Sequence, residues 1–134
     1  MTATLIDSNI LIDIFTDNPE WGAWSAKQLN LLSQKSKLYI NPVIYAEVSI
    51  GFVKIESFNS VIKTLPLNYS EIPVEALFLA GKAFVNYRKN DGSKITTLPD
   101  FFIGAHASVM SWNLITRDPK RMKYYFPKLK IISP

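Results

Sequence analysis

Apolar residues along this chain fall into short compact runs separated by longer stretches of helical spacing. Thr4-Leu5-Ile6 reads as a buried strand, and Ile10, Leu11, Ile14 and Phe15 then recur at helical intervals between Asn9 and Phe15. Asp17-Asn18-Pro19 interrupts the chain before a second helix, carried by Trp21, Trp24, Leu29 and Leu32 and ending near Ser36. Leu38-Tyr39-Ile40 predicts the second strand. Pro42 opens a helix reaching about Phe52, Phe58 to Leu65 gives another, and a third short strand is expected around Asn68 to Glu71. Val74 to Asn90 is the longest helical stretch, closed by Asp91-Gly92-Ser93. Pro99 to Ser111 predicts a helix leading into the strand Leu114-Ile115-Thr116. Pro119 to Tyr125 follows as a short helix and Lys130-Ile131-Ile132 as the last strand.

Short apolar strands alternating with helices imply an α/β fold, a three-layer α/β/α sandwich around a central, mainly parallel sheet. At 134 residues the chain is long enough for one core, so residues 1–134 are expected to form a single domain, without internal repeats. Sheets of this kind bind ligands beyond the carboxyl ends of their strands, where the strand order reverses. Polar residues just after a strand are therefore the ones to weigh.

Composition removes several function classes. With 48% hydrophobic and 19% charged residues the chain is neither a disordered tail nor a coiled coil. It has no cysteine and one histidine, which excludes disulfides, thiolate metal sites and a His-rich zinc site. No secretory pattern opens the chain and no run of about 18 apolar residues occurs, so a cytoplasmic protein without a membrane segment is expected. The formal charge is +4, and Arg117, Lys120, Arg121, Lys123, Lys128 and Lys130 crowd the C-terminal end. This suits a polyanionic partner, but a solvated lysine-rich face gives the same pattern.

Four carboxylates stand out. Asp7 follows the first strand and Asp118 the fourth, both at strand carboxyl ends; each would alternatively cap the helix behind it, Asp118 with Pro119 at the first helical position. Thr97-Leu98-Pro99-Asp100 also fits a capping box, although Asp reaches back less easily than Glu. Glu47 resists that kind of explanation, because it shares the apolar stripe of Val43, Ile44, Val48 and Gly51. A carboxylate facing a core must be protonated, paired with a cation or bound to a metal. Gathered in one pocket the four would repel one another unless a multivalent cation neutralised them, and an all-oxygen site suits Mg²⁺ or Mn²⁺.

The segments Leu5-Ile-Asp-Ser-Asn-Ile-Leu-Ile-Asp, Ile40-Asn-Pro-Val-Ile-Tyr-Ala-Glu, Leu98-Pro-Asp-Phe-Phe-Ile-Gly-Ala-His-Ala and Leu114-Ile-Thr-Arg-Asp-Pro-Lys-Arg, followed by Tyr125-Phe126-Pro127, stand in order over nearly the whole chain. Together they resemble the PIN-domain ribonucleases, and within them the VapC-type toxins of bacterial toxin-antitoxin pairs. The resemblance implies that Asp7, Glu47, Asp100 and Asp118 are an acidic quartet, catalytic and metal-holding, that Mg²⁺ or Mn²⁺ is needed, and that RNA is cut at phosphodiester bonds. It also implies a cognate antitoxin and pairing as a homodimer. Asn9 matches a position that would hold the first carboxylate or a bound water, against a plain helix-capping role. Thr116 matches a Ser or Thr that would orient a ligand. Ser8 stands where Thr is commoner and keeps the hydroxyl.

Asp13 is expected to be solvated on the first helix, and His106, between Ala105 and Ala107, to be a packed structural residue. Trp21, Trp24, Phe52, Phe58, Phe78, Phe84 and Tyr87 are assigned to the core and to a dimer or antitoxin contact. Arg88, Lys89, Lys94, Arg117, Lys120 and Arg121 are the expected phosphate contacts. Two rival readings remain: a non-catalytic PIN-like module that binds RNA or protein, and a phosphohydrolase acting on small esters. Asp7-Ser8-Asn9 lacks the second carboxylate that a phosphoaspartate-forming enzyme would need.

Overall fold

The computed structural model describes residues 2–91 and 98–134. In chain order these form β1 (Thr2–Ile6), α1 (Ser8–Phe15), α2 (Gly22–Ser33), β2 (Ser36–Ile40), α3 (Pro42–Ser49), α4 (Ile55–Lys63), β3 (Leu67–Tyr69), α5 (Val74–Asp91), α6 (Leu98–Met110), β4 (Asn113–Ile115), α7 (Pro119–Tyr125) and β5 (Lys130–Ile132). The strands make one sheet in the order β3-β2-β1-β4-β5, with every pairing parallel. The expected α/β/α sandwich is therefore the observed one, and the sheet is wholly parallel among the described residues.

Leu5, Ile6, Leu114 and Ile115 are fully buried and pair across the central strands, Leu5 with Leu114 and Ile6 with Ile115. Successive residues buried on both faces are what a sheet covered by helices on each side requires. From β1 the chain steps outward through β2 to β3, then crosses back past β1 to β4 and β5. With this strand order, the right-handed crossover rule for parallel strands assigns α1 to α4 to one face and α5 to α7 to the other. The direction reverses between β1 and β4, so their carboxyl ends form the crevice where the fold admits a ligand.

Element boundaries differ from expectation mainly around α3 and α4. Helix α3 ends at Ser49, three residues short of Phe52, and α4 begins at Ile55 rather than Phe58. Asn41 fixes the start of α3, its side chain accepting from the Ile44 amide at 2.9 Å ahead of Pro42. Asp17 turns the chain between α1 and α2 with a positive φ of 49°, a conformation Asp tolerates. Gly22 lets α2 start against the end of α1: a Cβ there would lie 3.2 Å from the Asp13 carbonyl oxygen. Among the described residues no helix is long and apolar enough to cross a membrane.

Candidate active site

Asp7 follows β1 directly and occupies the cap position of α1, yet its side chain makes no capping bond. Its Oδ2 instead accepts the Thr116 hydroxyl at 2.7 Å, across the gap between β1 and β4. Asp118 likewise stands at the cap position of α7 without a side-chain capping bond. The bland alternative thus fails for both acids. The capping box proposed for Asp100 involves Thr97, which lies outside the described residues; Asp100 itself sits in the first turn of α6.

All four acids line one pocket, together with Ser8, Asn9 and Arg121. Glu47 is half-buried at its rim, beside buried Ile44 and Val48, and its Oε1 accepts the Ser8 hydroxyl at 2.6 Å. It does not sit in the core as its stripe suggested: its carboxylate lines the pocket and meets Ser8, while Ile44 and Val48 beside it are buried. Asn9 donates a long bond to the Thr116 hydroxyl oxygen and accepts one from the Arg117 amide, each 3.4 Å, so it braces the far wall instead of capping α1. Thr116 also receives the Asp118 amide at 3.1 Å. One hydroxyl therefore touches the segments that carry two of the acids.

The electrostatics are those of crowded carboxylates. Burial pushes the Asp7 carboxyl up to about 6, the charges of Asp100 and Glu47 add to the rise, and the Thr116 hydroxyl and Ser8 amide oppose it. Glu47 is raised as well, first by burial and then by Asp100, against the pull of the Ser8 hydroxyl. Among the described residues no three His, Cys, Asp or Glu side chains are already arranged to hold a metal ion. The acids share a pocket, with Asp7 and Glu47 tethered to Thr116 and Ser8. The donor set is nonetheless all-oxygen and anionic, and a divalent cation would relieve its raised pKa values.

The basic residues divide. Arg121 lines the acidic pocket, its guanidinium over the Tyr87 ring, and Lys120 lines the adjoining groove with exposed Tyr124. Arg88 and Lys89 are exposed on α5 but line neither space, and Lys94 lies outside the described residues. Arg117 does not line the pocket; its side chain pairs with Asp13, with Nε 2.6 Å from Oδ2. Asp13, expected to be solvated, is 1% exposed. It lies three residues after buried Ile10, so the stripe argument applied to Glu47 would have found it. His106 is packed as expected, fully buried with Nδ1 3.1 Å from the Asn41 amide nitrogen, and burial lowers it to about 4. Phe58 and Tyr87 belong to the core, whereas Phe78 is largely exposed.

The PIN-domain family profile matches residues 4–126, and that span holds all four acids. The chain belongs to the PIN-domain family. Its fold recurs in a chain of VapBC2 from Rickettsia felis bound to a DNA fragment from their promoter, with a TM-score of 0.76 at 20% identity over 99% of each chain. A toxin-antitoxin complex from Klebsiella pneumoniae gives 0.68 at 24% identity over 98% of each chain. VapBC-1 from nontypeable Haemophilus influenzae gives 0.70 at 23% identity, again over 98% of each. A search among curated proteins finds no match. At these identities the structural likeness establishes the shared PIN fold.

Proposed function

We propose that this PIN domain is a metal-dependent endoribonuclease and acts as the toxin of a toxin-antitoxin pair, in the manner of VapC. The observation that carries the reading is the pocket at the strand-order reversal, lined by Asp7, Glu47, Asp100 and Asp118, with Asp7 and Asp118 making no capping bond. Those four residues would hold Mg²⁺ or Mn²⁺. Such an ion supplies charge neutralisation at a phosphodiester and makes water a competent nucleophile at neutral pH. Thr116 and Ser8, which donate to the Asp7 and Glu47 carboxylates, would hold those ligands in place for it. Lys120 and Arg121 would take the phosphates flanking the scissile bond. Hydrolysis joins the water oxygen to phosphorus, breaks one P–O bond and leaves its proton with the departing ribose oxygen.

The toxin role and the antitoxin partner are supported by neighbours that are themselves VapBC and other toxin-antitoxin complexes. A homodimer and a cytoplasmic setting belong to the same reading. The test is cleavage of a mixed structured RNA pool with Mg²⁺ or Mn²⁺, beside EDTA and an Asp7→Asn control. Cuts lost with both controls support the nuclease. No cleavage by folded, inhibitor-free wild type supports the RNA- or protein-binding module, and efficient turnover of a small phosphate monoester supports the phosphohydrolase.

A further inference from the structure

Asp13 and Arg117 form an ion pair that the acidic pocket does not use directly. Asp13 is buried in α1 while Arg117 keeps 31% of its side chain exposed, and their closest atoms are 2.6 Å apart. Among the described residues Arg117 Nε makes no directed hydrogen bond, so the contact is ionic. Two residues of the α2 region complete it. The Ser25 hydroxyl donates to the same Asp13 oxygen at 3.2 Å, and the Trp21 ring lies 5.8 Å from the guanidinium carbon. Such a pair is weak as a source of stability, because desolvating the carboxylate offsets much of the attraction. What it does well is fix one segment against another.

The segment it fixes is residues 116–118. Thr116 reaches Asp7 and Asp118 lines the pocket, while Arg117 between them points away to Asp13. We infer that Asp13 and Arg117 are positioning residues, a strut from α1 and α2 that holds Thr116 and Asp118 in register with Asp7. The purpose of that register rests on the nuclease reading; the strut itself does not. Arg117 is thereby removed from the phosphate contacts and Asp13 joins the residues that shape the site.

The experiment compares wild type with the double variant Asp13→Asn/Arg117→Gln, which leaves no unpaired buried charge, and with Arg117→Lys, which keeps a charge opposite Asp13. Amide exchange is followed at Asp118, whose N–H rests on Thr116, and at Leu5 and Leu114 in the sheet. Mn²⁺ affinity is read by electron paramagnetic resonance, and the salt dependence of binding to a single-stranded RNA oligonucleotide is measured in EDTA. In the double variant Asp118 exchange should rise roughly tenfold while the strand amides stay protected, and Mn²⁺ affinity should fall roughly tenfold. Arg117→Lys should do the same by a smaller factor, and this decides the matter if the double variant does not fold. The RNA salt slope should not change. Asp118 exchange that is unaltered, or that rises only in step with Leu5 and Leu114, overturns the strut, as does a salt slope lowered in the double variant, which removes the Arg117 charge. If wild type takes up no Mn²⁺ the nuclease reading falls, and amide exchange alone judges the strut.

Discussion

The Thr116 hydroxyl donates to Oδ2 of Asp7 at 2.7 Å, tying together the carboxyl ends of the two central strands. This bond pulls the Asp7 carboxyl down against the larger upward push of burial. Thr116→Val should therefore raise Asp7 above about 6. Mn²⁺ affinity should weaken about 10–100-fold, the usual cost of losing a group that orients a ligand. Thr116→Ser, which keeps the hydroxyl, should stay near wild type. Isothermal titration with Mn²⁺ at pH 7 makes the comparison, and equal affinities for Val and Ser would leave the hydroxyl without a role.

Strands and helices were legible because each follows its own period, and a sheet covered on both faces leaves short apolar runs such as Leu114-Ile115. Asp7, Asp100 and Asp118 were legible as residues but not in their roles. A capping Asp and a pocket Asp occupy the same sequence position, and only the missing capping bonds at Asp7 and Asp118 separate the two. The pairing of Arg117 with Asp13 is hidden in the sequence, because the residues on either side of Arg117 face the pocket. In extended chain alternate side chains point opposite ways, and sequence does not say that a buried Asp waits on the far side. Ser8 shows its hydroxyl in the sequence, yet its partner Glu47 is 39 residues away, a pairing that only the fold creates.

Metal binding should follow pH through Asp7. Its folded pKa of about 6 lies above the ordinary 3.8, so the metal-free fold keeps a proton there until pH exceeds about 6. A cation needs the carboxylate, and below that pH it must displace the proton. Mn²⁺ affinity should rise about tenfold per pH unit through the region below 6 and level off above it. The rise in melting temperature caused by Mn²⁺ should accordingly be larger at pH 7.5 than at pH 5. An affinity flat from pH 5 to 7.5 would mean that Asp7 is already ionised in the free protein.

His106 acts on stability in the opposite direction. Buried and lowered from 6.5 to about 4, it stays neutral in the fold at pH values where the unfolded chain takes up a proton. Its contribution is complete above pH 6.5 and is lost as pH falls toward about 4. Asp7 runs the other way: its raised pKa makes the ionised fold costly above about 6, and protonation relieves that cost as pH drops. Asp7→Asn should therefore unmask the His106 effect. Urea unfolding of this variant should show stability declining from pH 6.5 to 4.5 more steeply than in wild type. Parallel curves for the two proteins would contradict the opposition.

Two helical glycines should respond oppositely to alanine. At Gly81 in α5 a Cβ meets nothing within 4 Å, so Gly81→Ala should stabilise by up to about 1 kcal/mol through helix propensity. At Gly104 in α6 a Cβ would lie 2.5 Å from the Phe126 ring and 2.8 Å from the Met122 sulfur. Phe126 is 2% exposed, so its ring has little room to retreat, and both side chains line the acidic pocket. Overpacking of this kind costs about 1–3 kcal/mol, enough to cancel or exceed the gain in propensity. Gly104→Ala should lower the melting temperature. It should also weaken Mn²⁺ binding, because Met122 and Phe126 can yield only toward the pocket or by shifting α7, which starts beside Asp118. A Gly104→Ala protein as stable as Gly81→Ala, with unaltered Mn²⁺ affinity, would show that the contact between α6 and α7 is looser than the packing indicates.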